Sequence, residues 1–91
     1  MDLNVLIDEW GIEPDTIILE PQSEFNGAII GISDDRRHLI YSYEKMVELM
    51  TKVYCDSEMI AHDWIDYNTM RALPYMNQEY VPIIIHEFVK E

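Results

Sequence analysis

Residues 63–75 read DWIDYNTMRALPY and combine an apolar stripe, a short amide and a proline in one segment. Four residues of this segment recur at helical spacing and so share one face of a predicted helix: Trp64, Ile65, Asn68 and Ala72. Pro74 lacks a backbone N–H and disfavours helical conformation in the residue before it, so it is predicted to end the helix.

Asn68 is therefore expected on the dry face of the helix, where a polar side chain needs hydrogen-bonding partners. We interpret it as a clamp that ties the helix to a neighbouring strand or loop. Its replacement by alanine is then expected to cost on the order of 1 to 3 kcal/mol of stability. Asp63, Asp66 and Tyr67 are expected on the outward face of the same helix.

A second helix is predicted just before this segment. Ser42 is a suitable N-cap. The apolar positions after it recur at helical spacing: Tyr43, Met46, Val47, Met50, Val53 and Tyr54. Residues 55–57 break this helix, and Asp56 or Ser57 caps the next one. Because so short a connection joins the two helices, they are predicted to form an antiparallel hairpin.

Four strands are predicted, at residues 16–20, 27–33, 38–41 and 83–89. The run GAIIGIS at 27–33 is almost continuously apolar, as is typical of a strand covered on both faces, so we place it at the centre of the sheet. The polar run at 22–26 is predicted to be a loop, and DDRR at 34–37 a turn, which makes 38–41 the second arm of a hairpin. A helical hairpin returns the chain to the end that it left, so the last strand is predicted to run antiparallel to 38–41 if the two are neighbours.

Residues 2–10 are predicted to form an N-terminal helix with its apolar stripe at Leu3, Leu6, Ile7 and Trp10. Gly11 stands where a left-handed residue would end it. We expect this helix to cover the sheet, and the alternative is that it docks on another protein. The sequence thus predicts an α+β fold in one domain over residues 1–91: a small antiparallel or mixed sheet of about four strands with an antiparallel helical hairpin, in the order α-β-β-β-α-α-β.

The charge balance of the chain is strongly acidic. Its 91 residues include 18 acids against 6 lysines and arginines, which gives a formal net charge of −12 at pH 7. Such a surface repels phosphate backbones, so direct nucleic-acid binding is not expected, whereas electrostatic steering favours a protein partner with a basic surface. The alternative is that the acids only keep the chain soluble and monomeric.

The expected compartment is a reducing cytoplasm. Cys55 is the only cysteine, so an intramolecular disulfide is excluded. The N-terminal sequence MDLNVLIDEW has acids where a signal peptide has basic residues. No apolar run approaches the roughly 18 residues that a membrane span needs, so no membrane association is predicted.

No catalytic, cofactor or metal site is predicted, and the chain is expected not to be an enzyme. His62-Asp63 resembles the paired ligands of HD-type phosphohydrolases, but that chemistry needs further histidines on other helices. His38 and His86 are both predicted in strands. The ligand spacings of zinc sites and the glycine-rich loops of nucleotide sites are missing from the sequence. Acids beside Cys55 disfavour its thiolate and oppose a nucleophilic role.

The predicted functional surface is instead a protein-binding face on the two helices. It consists of Glu44, Glu48, Asp63, Asp66 and Tyr67. Carboxylates attract a basic partner, and a tyrosine offers a large amphipathic contact area at low entropic cost. The alternative is that the acids form an ordinary solvated face and that the tyrosine rings only cap the core.

Two segments resemble a known family. The chain is similar in these segments to small, functionally uncharacterised proteins of Firmicutes and of their phages and prophages. The first segment begins at Gly27 and reads GAIIGISDDRRHLIYSYEKMVELM, and the second reads WIDYNTMRALPYM, with PIII after it. The shared features are a strand ending in S-D-D, a tyrosine-initiated helix and the motif Y-N-T-x-R-A-L-P-Y, which begins at Tyr67. The resemblance covers most of residues 25–86.

The resemblance carries no known activity, but it implies a setting. Small acidic proteins of mobile elements are often stoichiometric inhibitors of host defence, including anti-CRISPR proteins that present carboxylates where their target expects phosphates. The implied function is inhibition of a nucleic-acid-handling defence protein in the host cytoplasm. The alternative is a structural or regulatory module that forms homodimers or acts as an adaptor.

Overall fold

The computed structural model of the chain describes residues 8–20, 22–53 and 57–87. Its regular elements in chain order are a short helix α1 (Gln22–Phe25), a 3-10 turn (Asn26–Ala28), strands β1 (Ile29–Ile32) and β2 (Leu39–Ser42), helices α2 (Tyr43–Val53) and α3 (Glu58–Trp64), a π turn (Ile65–Thr69), a 3-10 helix (Met70–Tyr75) and strand β3 (Ile83–Ile85). The predicted α+β class is confirmed.

The sheet is mixed and has the order β1-β2-β3. β1 and β2 form the predicted antiparallel hairpin, with a bulge between Ile29 and Gly31. β3 pairs with β2 in parallel, in a register that sets Ser42 beside Ile85. Three expectations are corrected for the described residues: the sheet has three strands and not four, β2 and not β1 is central, and the last strand is parallel to its neighbour and not antiparallel.

The parallel direction of β3 follows from the path of residues 65–82. Helical turns continue to Tyr75, and residues 76–82 connect them to β3. The Val81 carbonyl accepts a hydrogen bond of 2.6 Å from His38 Nδ1, just ahead of β2. The chain therefore enters β3 beside the start of β2 and not beside its end. The prediction failed because it started the last strand at the end of the sheet to which the helical hairpin returns the chain.

Residues 16–20 do not form the predicted strand. The Leu19 N–H donates to the Tyr41 hydroxyl at 3.1 Å, and the Ile17 N–H donates to the Tyr80 carbonyl at 3.3 Å. The backbone N–H groups of this segment thus donate hydrogen bonds to a side chain and to a loop carbonyl and not to a neighbouring strand. Leu19 is buried in the core all the same. Residues 22–26, predicted as a loop, contain α1.

The core lies between the sheet and the helices. The largest fully buried side chains are Tyr41, Phe25, Leu39, Met46, Met50, Ile65 and Ser42. The predicted stripe of α2 is confirmed at Tyr43, Met46, Val47 and Met50. Val53 is 55% exposed, which corrects its prediction, and Tyr54 lies outside the described residues.

Several local signals act as predicted. The Ser42 hydroxyl accepts from the Lys45 N–H, and the Ser57 hydroxyl accepts from the Ile60 N–H, so both serines cap their helices. Residues 8–10 are helical and Gly11 follows with φ 64°, in the left-handed conformation expected at a helix end. The rest of the predicted N-terminal helix lies outside the described residues. Trp10 is half exposed, so it does not belong to a fully covered stripe.

A π turn changes the inward face of the segment at 63–75. The Met70 N–H is shared between the Asp66 carbonyl, four residues back, and the Ile65 carbonyl, five residues back, and the second bond winds the chain more loosely than an α-helix. Thr69 is consequently buried and Asn68 is exposed. The amide of Asn68 donates to the Trp64 carbonyl at 3.0 Å within the same segment, so the predicted clamp is wrong. Pro74 lies inside the 3-10 helix, which ends at Tyr75.

We predict that Tyr41→Phe lowers the free energy of unfolding by about 1 to 3 kcal/mol, because it leaves the buried Leu19 N–H without its acceptor. Burial raises the pKa of Tyr41 to about 12, so its hydroxyl stays neutral at physiological pH. Urea unfolding measures the effect. Tyr67→Phe, at a position 68% exposed, is the matched control and should be nearly neutral. Equal stability of Tyr41→Phe and the parent would show that this hydrogen bond contributes little.

A second pair of variants tests the π turn. Ile65 is fully buried, so Ile65→Ala should cost about 2 to 5 kcal/mol, whereas Asn68→Ala removes an exposed intrasegment bond and should cost less than about 1 kcal/mol. Urea unfolding of both variants under identical conditions provides the comparison. A large loss at Asn68 would restore the clamp and contradict the burial pattern of this turn.

Candidate functional site

The candidate site is built around Tyr43, the first residue of α2. Because Ser42 and Ile85 are register partners in a parallel pair, the residues that follow them leave the sheet side by side. The Tyr43 and His86 rings accordingly lie against each other, with centroids 4.8 Å apart. One position further on, the Glu87 N–H donates to Glu44 Oε1 at 2.6 Å.

The other side of Tyr43 is occupied by residues at the end of α3. The His62 ring centroid lies 5.2 Å from that of Tyr43, and His62 Nδ1 is 3.0 Å from the Tyr43 hydroxyl. That hydroxyl donates to Asp66 Oδ1 at 2.7 Å. Contact between the start of α2 and the end of α3 confirms that the two helices run antiparallel.

The hydrogen bonds around Tyr43 require a proton on Nδ1 of both imidazoles. The Tyr43 hydroxyl has one hydrogen, which it donates to Asp66, so toward His62 it can only accept and His62 Nδ1 must be the donor. A carboxylate also only accepts, so His86 Nδ1 donates to Glu44 Oε2 at 3.0 Å. In this arrangement each of the two imidazoles beside Tyr43 presents an Nδ1–H.

The electrostatics of the cluster keep Tyr43 neutral. Partial burial and the hydrogen bond to Asp66 raise the pKa of Tyr43 well above its usual value, and the negative charges of Asp66, Glu44 and Asp63 act in the same direction. Its hydroxyl is thus a stable donor and is not suited to act as a phenolate base or nucleophile.

Glu44 is stabilised in its charged form. Burial alone would raise the pKa of Glu44, but the hydrogen bonds from the Glu87 N–H and from His86 outweigh it, and the pKa is lowered. Glu44 therefore ties the chain after β3 to the start of α2 as an ionised carboxylate.

An open groove of about 280 Å³ lies between α2 and α3, beside this cluster. Its lining residues are Glu44, Val47, Glu48, Glu58 and His62. Three carboxylates thus border a shallow concave surface whose one aliphatic residue comes from α2. A groove of this kind attracts cationic groups.

The structure brings four of the five predicted site residues to one region. Glu44 and Glu48 line the groove, Asp66 accepts from Tyr43, and Asp63 is close enough to influence the pKa of Tyr43. Tyr67 instead lies under Arg71, whose guanidinium carbon is 5.0 Å from the ring centroid, and it is 68% exposed.

The predicted site lacks Tyr43, His86 and Glu58. The sequence places Tyr43 on the buried stripe of its helix and His86 in a strand. The position of His86 follows from the register of β3, so a parallel strand assignment would have found it. Glu58 and His62 are four residues apart on α3 and therefore share a face, a signal that the sequence does contain.

The donor set does not favour metal binding. Within residues 8–20, 22–53 and 57–87, no group of three or more histidine, cysteine or acidic side chains is arranged to hold a metal ion. His62 Nδ1 bonds to the Tyr43 hydroxyl, whereas His86 Nδ1 bonds to Glu44. The two nitrogens therefore do not share a position at which an ion could bind. Cys55 lies outside the described residues.

Comparisons of the chain with protein-family models, with curated proteins and with solved structures found no match. The resemblance given by the S-D-D and Y-N-T-x-R-A-L-P-Y motifs therefore remains a prediction. Within the described part of the chain, no helix combines the length and apolarity needed to cross a membrane.

We predict that Glu44→Gln destabilises the chain at pH 7 by about 1 kcal/mol or less, since the side chain is about a third exposed. The sign follows from the lowered pKa of Glu44: its contribution is fully present above the ordinary value of 4.5 and is lost as the pH falls through the folded-state pKa. The stability difference between parent and variant should therefore shrink in acid. Urea unfolding from neutral to acid pH tests this, and a difference independent of pH would contradict it.

Proposed function

We propose that this chain acts by binding a protein with a basic surface and that the groove between α2 and α3 is the contact site. In the setting implied by the family resemblance, the partner is a nucleic-acid-handling defence protein, and the chain is its stoichiometric inhibitor. The role is non-enzymatic: carboxylates occupy positions on the partner that would otherwise hold phosphates.

The acidic groove is the observation that carries this proposal. Three carboxylates line it, and Asp63 and Asp66 add negative charge beside it. A concentration of like charge costs stability through mutual repulsion, and a cationic partner would remove that cost. The net charge of −12 extends the attraction to long range and would raise the rate of encounter.

The groove is partly preorganised, which supports a binding role. Glu44 is fixed by two hydrogen bonds and Asp66 by the Tyr43 hydroxyl, so these carboxylates lose little freedom when a partner binds. Glu48 pairs with Lys52 at 3.2 Å, but both side chains are about two-thirds exposed, so the pair is weak and can be exchanged for a partner's cation.

The residues that would contact the partner most directly are Glu48, Glu58 and Asp63. All three are exposed, and none takes part in the hydrogen bonds around Tyr43. Their neutralisation should therefore alter binding while leaving the fold intact.

The test uses a panel of purified nucleic-acid-binding defence nucleases, with binding measured by calorimetry at low and high salt. We expect at least one complex that weakens as salt rises and that competes with nucleic acid. The triple variant Glu48→Gln, Glu58→Gln, Asp63→Asn should bind about tenfold more weakly or worse, which corresponds to about 1.4 kcal/mol.

A matched control removes the same number of charges elsewhere. Glu9→Gln, Glu13→Gln and Asp15→Asn are exposed positions, and Glu13 lies beside Arg36 at the hairpin turn, at the other end of β2 from Tyr43. The control should retain most of the affinity. Equal losses in the two triple variants would mean that only net charge matters, and no complex at low salt with any nuclease of the panel would refute the proposal.

A further inference from the structure

One residue that lines the acidic groove is of a type that ordinarily changes charge near neutral pH. His62 borders the groove together with three carboxylates and Val47. Histidine side chains usually gain or lose their charge between about pH 5 and 8, a range in which glutamate stays ionised and arginine stays cationic. Among the residues that line the groove, His62 is therefore the one through which mild acid can alter the charge.

The ring of His62 is oriented by Tyr43. Its Nδ1 donates to the Tyr43 hydroxyl at 3.0 Å, and that hydroxyl donates in turn to Asp66 at 2.7 Å. The hydrogen of the neutral ring therefore stands on Nδ1, and Nε2 carries a lone pair. Nε2 has no hydrogen-bond partner among the residues that the structure describes, and the side chain is exposed. It is thus open to a donor of a bound partner or to a proton from solution.

Negative groups lie around His62 on each of the elements packed about it. They are Glu44 and Glu48 on α2, Glu58 and Asp63 on α3, and Asp66 on the π turn. These carboxylates attract a proton to Nε2 as they attract a cationic group of a partner. The proton and the partner therefore compete for the same negative charge.

The basic groups near the groove do not interact with His62 directly. His86 stands against the Tyr43 ring and donates to Glu44, so its protonation acts on the groove through that carboxylate. Lys52 pairs with Glu48 on the exposed side of α2. A positive charge on Nε2 would thus be a new charge among the lining residues, and not a strengthening of an existing ion pair.

We propose that His62 makes binding at the groove dependent on pH: its neutral Nε2 accepts a hydrogen bond from a cationic group of the partner, and protonation of Nε2 expels that group. This inference rests on the proposed function, because it concerns the same groove. Two effects act in the same direction. A protonated Nε2 has no lone pair with which to accept, and it sets a positive charge beside the cation of the partner. The partner is held at neutral pH and released in acid.

The coupling between proton and partner is reciprocal. A cation bound in the groove opposes protonation of His62 as strongly as protonation opposes the cation. The imidazole of His62 in the complex therefore protonates at a lower pH than in the free chain. One unit charge about 5 Å from a cation at the protein surface corresponds to a change of roughly three- to tenfold in affinity.

The test uses the full chain and a hexa-arginine peptide with blocked ends, whose charge is constant over the pH range. Calorimetry at low salt measures its affinity at about pH 8 and at about pH 6, where exposed carboxylates ordinarily stay ionised. We expect the parent to bind roughly three- to tenfold more weakly at the lower pH. His62→Asn should lose most of this dependence, because its amide can still donate to Tyr43 from about the position of Nδ1 but takes up no proton.

His38→Asn is the matched control. His38 contacts the Val81 carbonyl and lies 3.9 Å from Asp35 at the hairpin turn, and it does not line the groove. This variant should lose affinity in acid as the parent does. Nuclear magnetic resonance of the imidazole rings gives a second readout on the parent: the peptide should move the titration of His62 to lower pH and leave that of His38 unchanged.

The outcomes separate this inference from the proposed function. Absence of peptide binding at pH 8, equal affinities of the parent at the two pH values, an equal loss in His62→Asn, or a His62 titration that the peptide does not move would each overturn the inference. A nuclease complex whose pH dependence is the same in His62→Asn would overturn it while leaving the proposed function in place. The expected peptide results without any nuclease complex would support it and refute only the proposed partner.

Discussion

The parallel pairing of β3 with β2 is the contact on which the candidate site depends. In a parallel pair both strands end at the same side of the sheet, so the residues after Ser42 and Ile85 leave it together. Tyr43 consequently lies against His86, and the next residue of α2 receives a backbone N–H from the C-terminal segment. In an antiparallel arrangement His86 would lie at the other end of β2, and the cluster could not form.

The acids of the site fall into two groups with different physical roles. Glu44 and Asp66 accept hydrogen bonds from the Glu87 N–H, from His86 and from the Tyr43 hydroxyl, so they belong to the framework as much as to the surface. Glu48, Glu58 and Asp63 are exposed, take no part in the hydrogen bonds around Tyr43 and contribute mainly to the electrostatic field. Under the proposed function, the residues that select the partner are therefore those whose replacement costs little stability.

Local signals in the sequence were reliable where the interacting groups are close along the chain. The hairpin turn is closed by Asp35, which accepts from the Ser33 hydroxyl, and serine caps begin both long helices. The errors occur where partners are distant. Residues 16–20 have the composition of a strand, but two of their backbone N–H groups donate hydrogen bonds to the Tyr41 hydroxyl and to a loop carbonyl. At Asn68, a π turn altered the helical period on which the prediction of burial rested.

By itself the sequence determined the α+β class, the hairpin, the helical pair and the acidic character of the two helices. These follow from hydrophobic periodicity, capping and composition, which involve residues a few positions apart. Only the tertiary structure decided that the acids gather around Tyr43 and that His86 completes the cluster. Glu44 and His86 are 42 residues apart in sequence, and their contact depends on the route of the chain between α3 and β3. No local pattern encodes that route, because it is set by packing against the whole core.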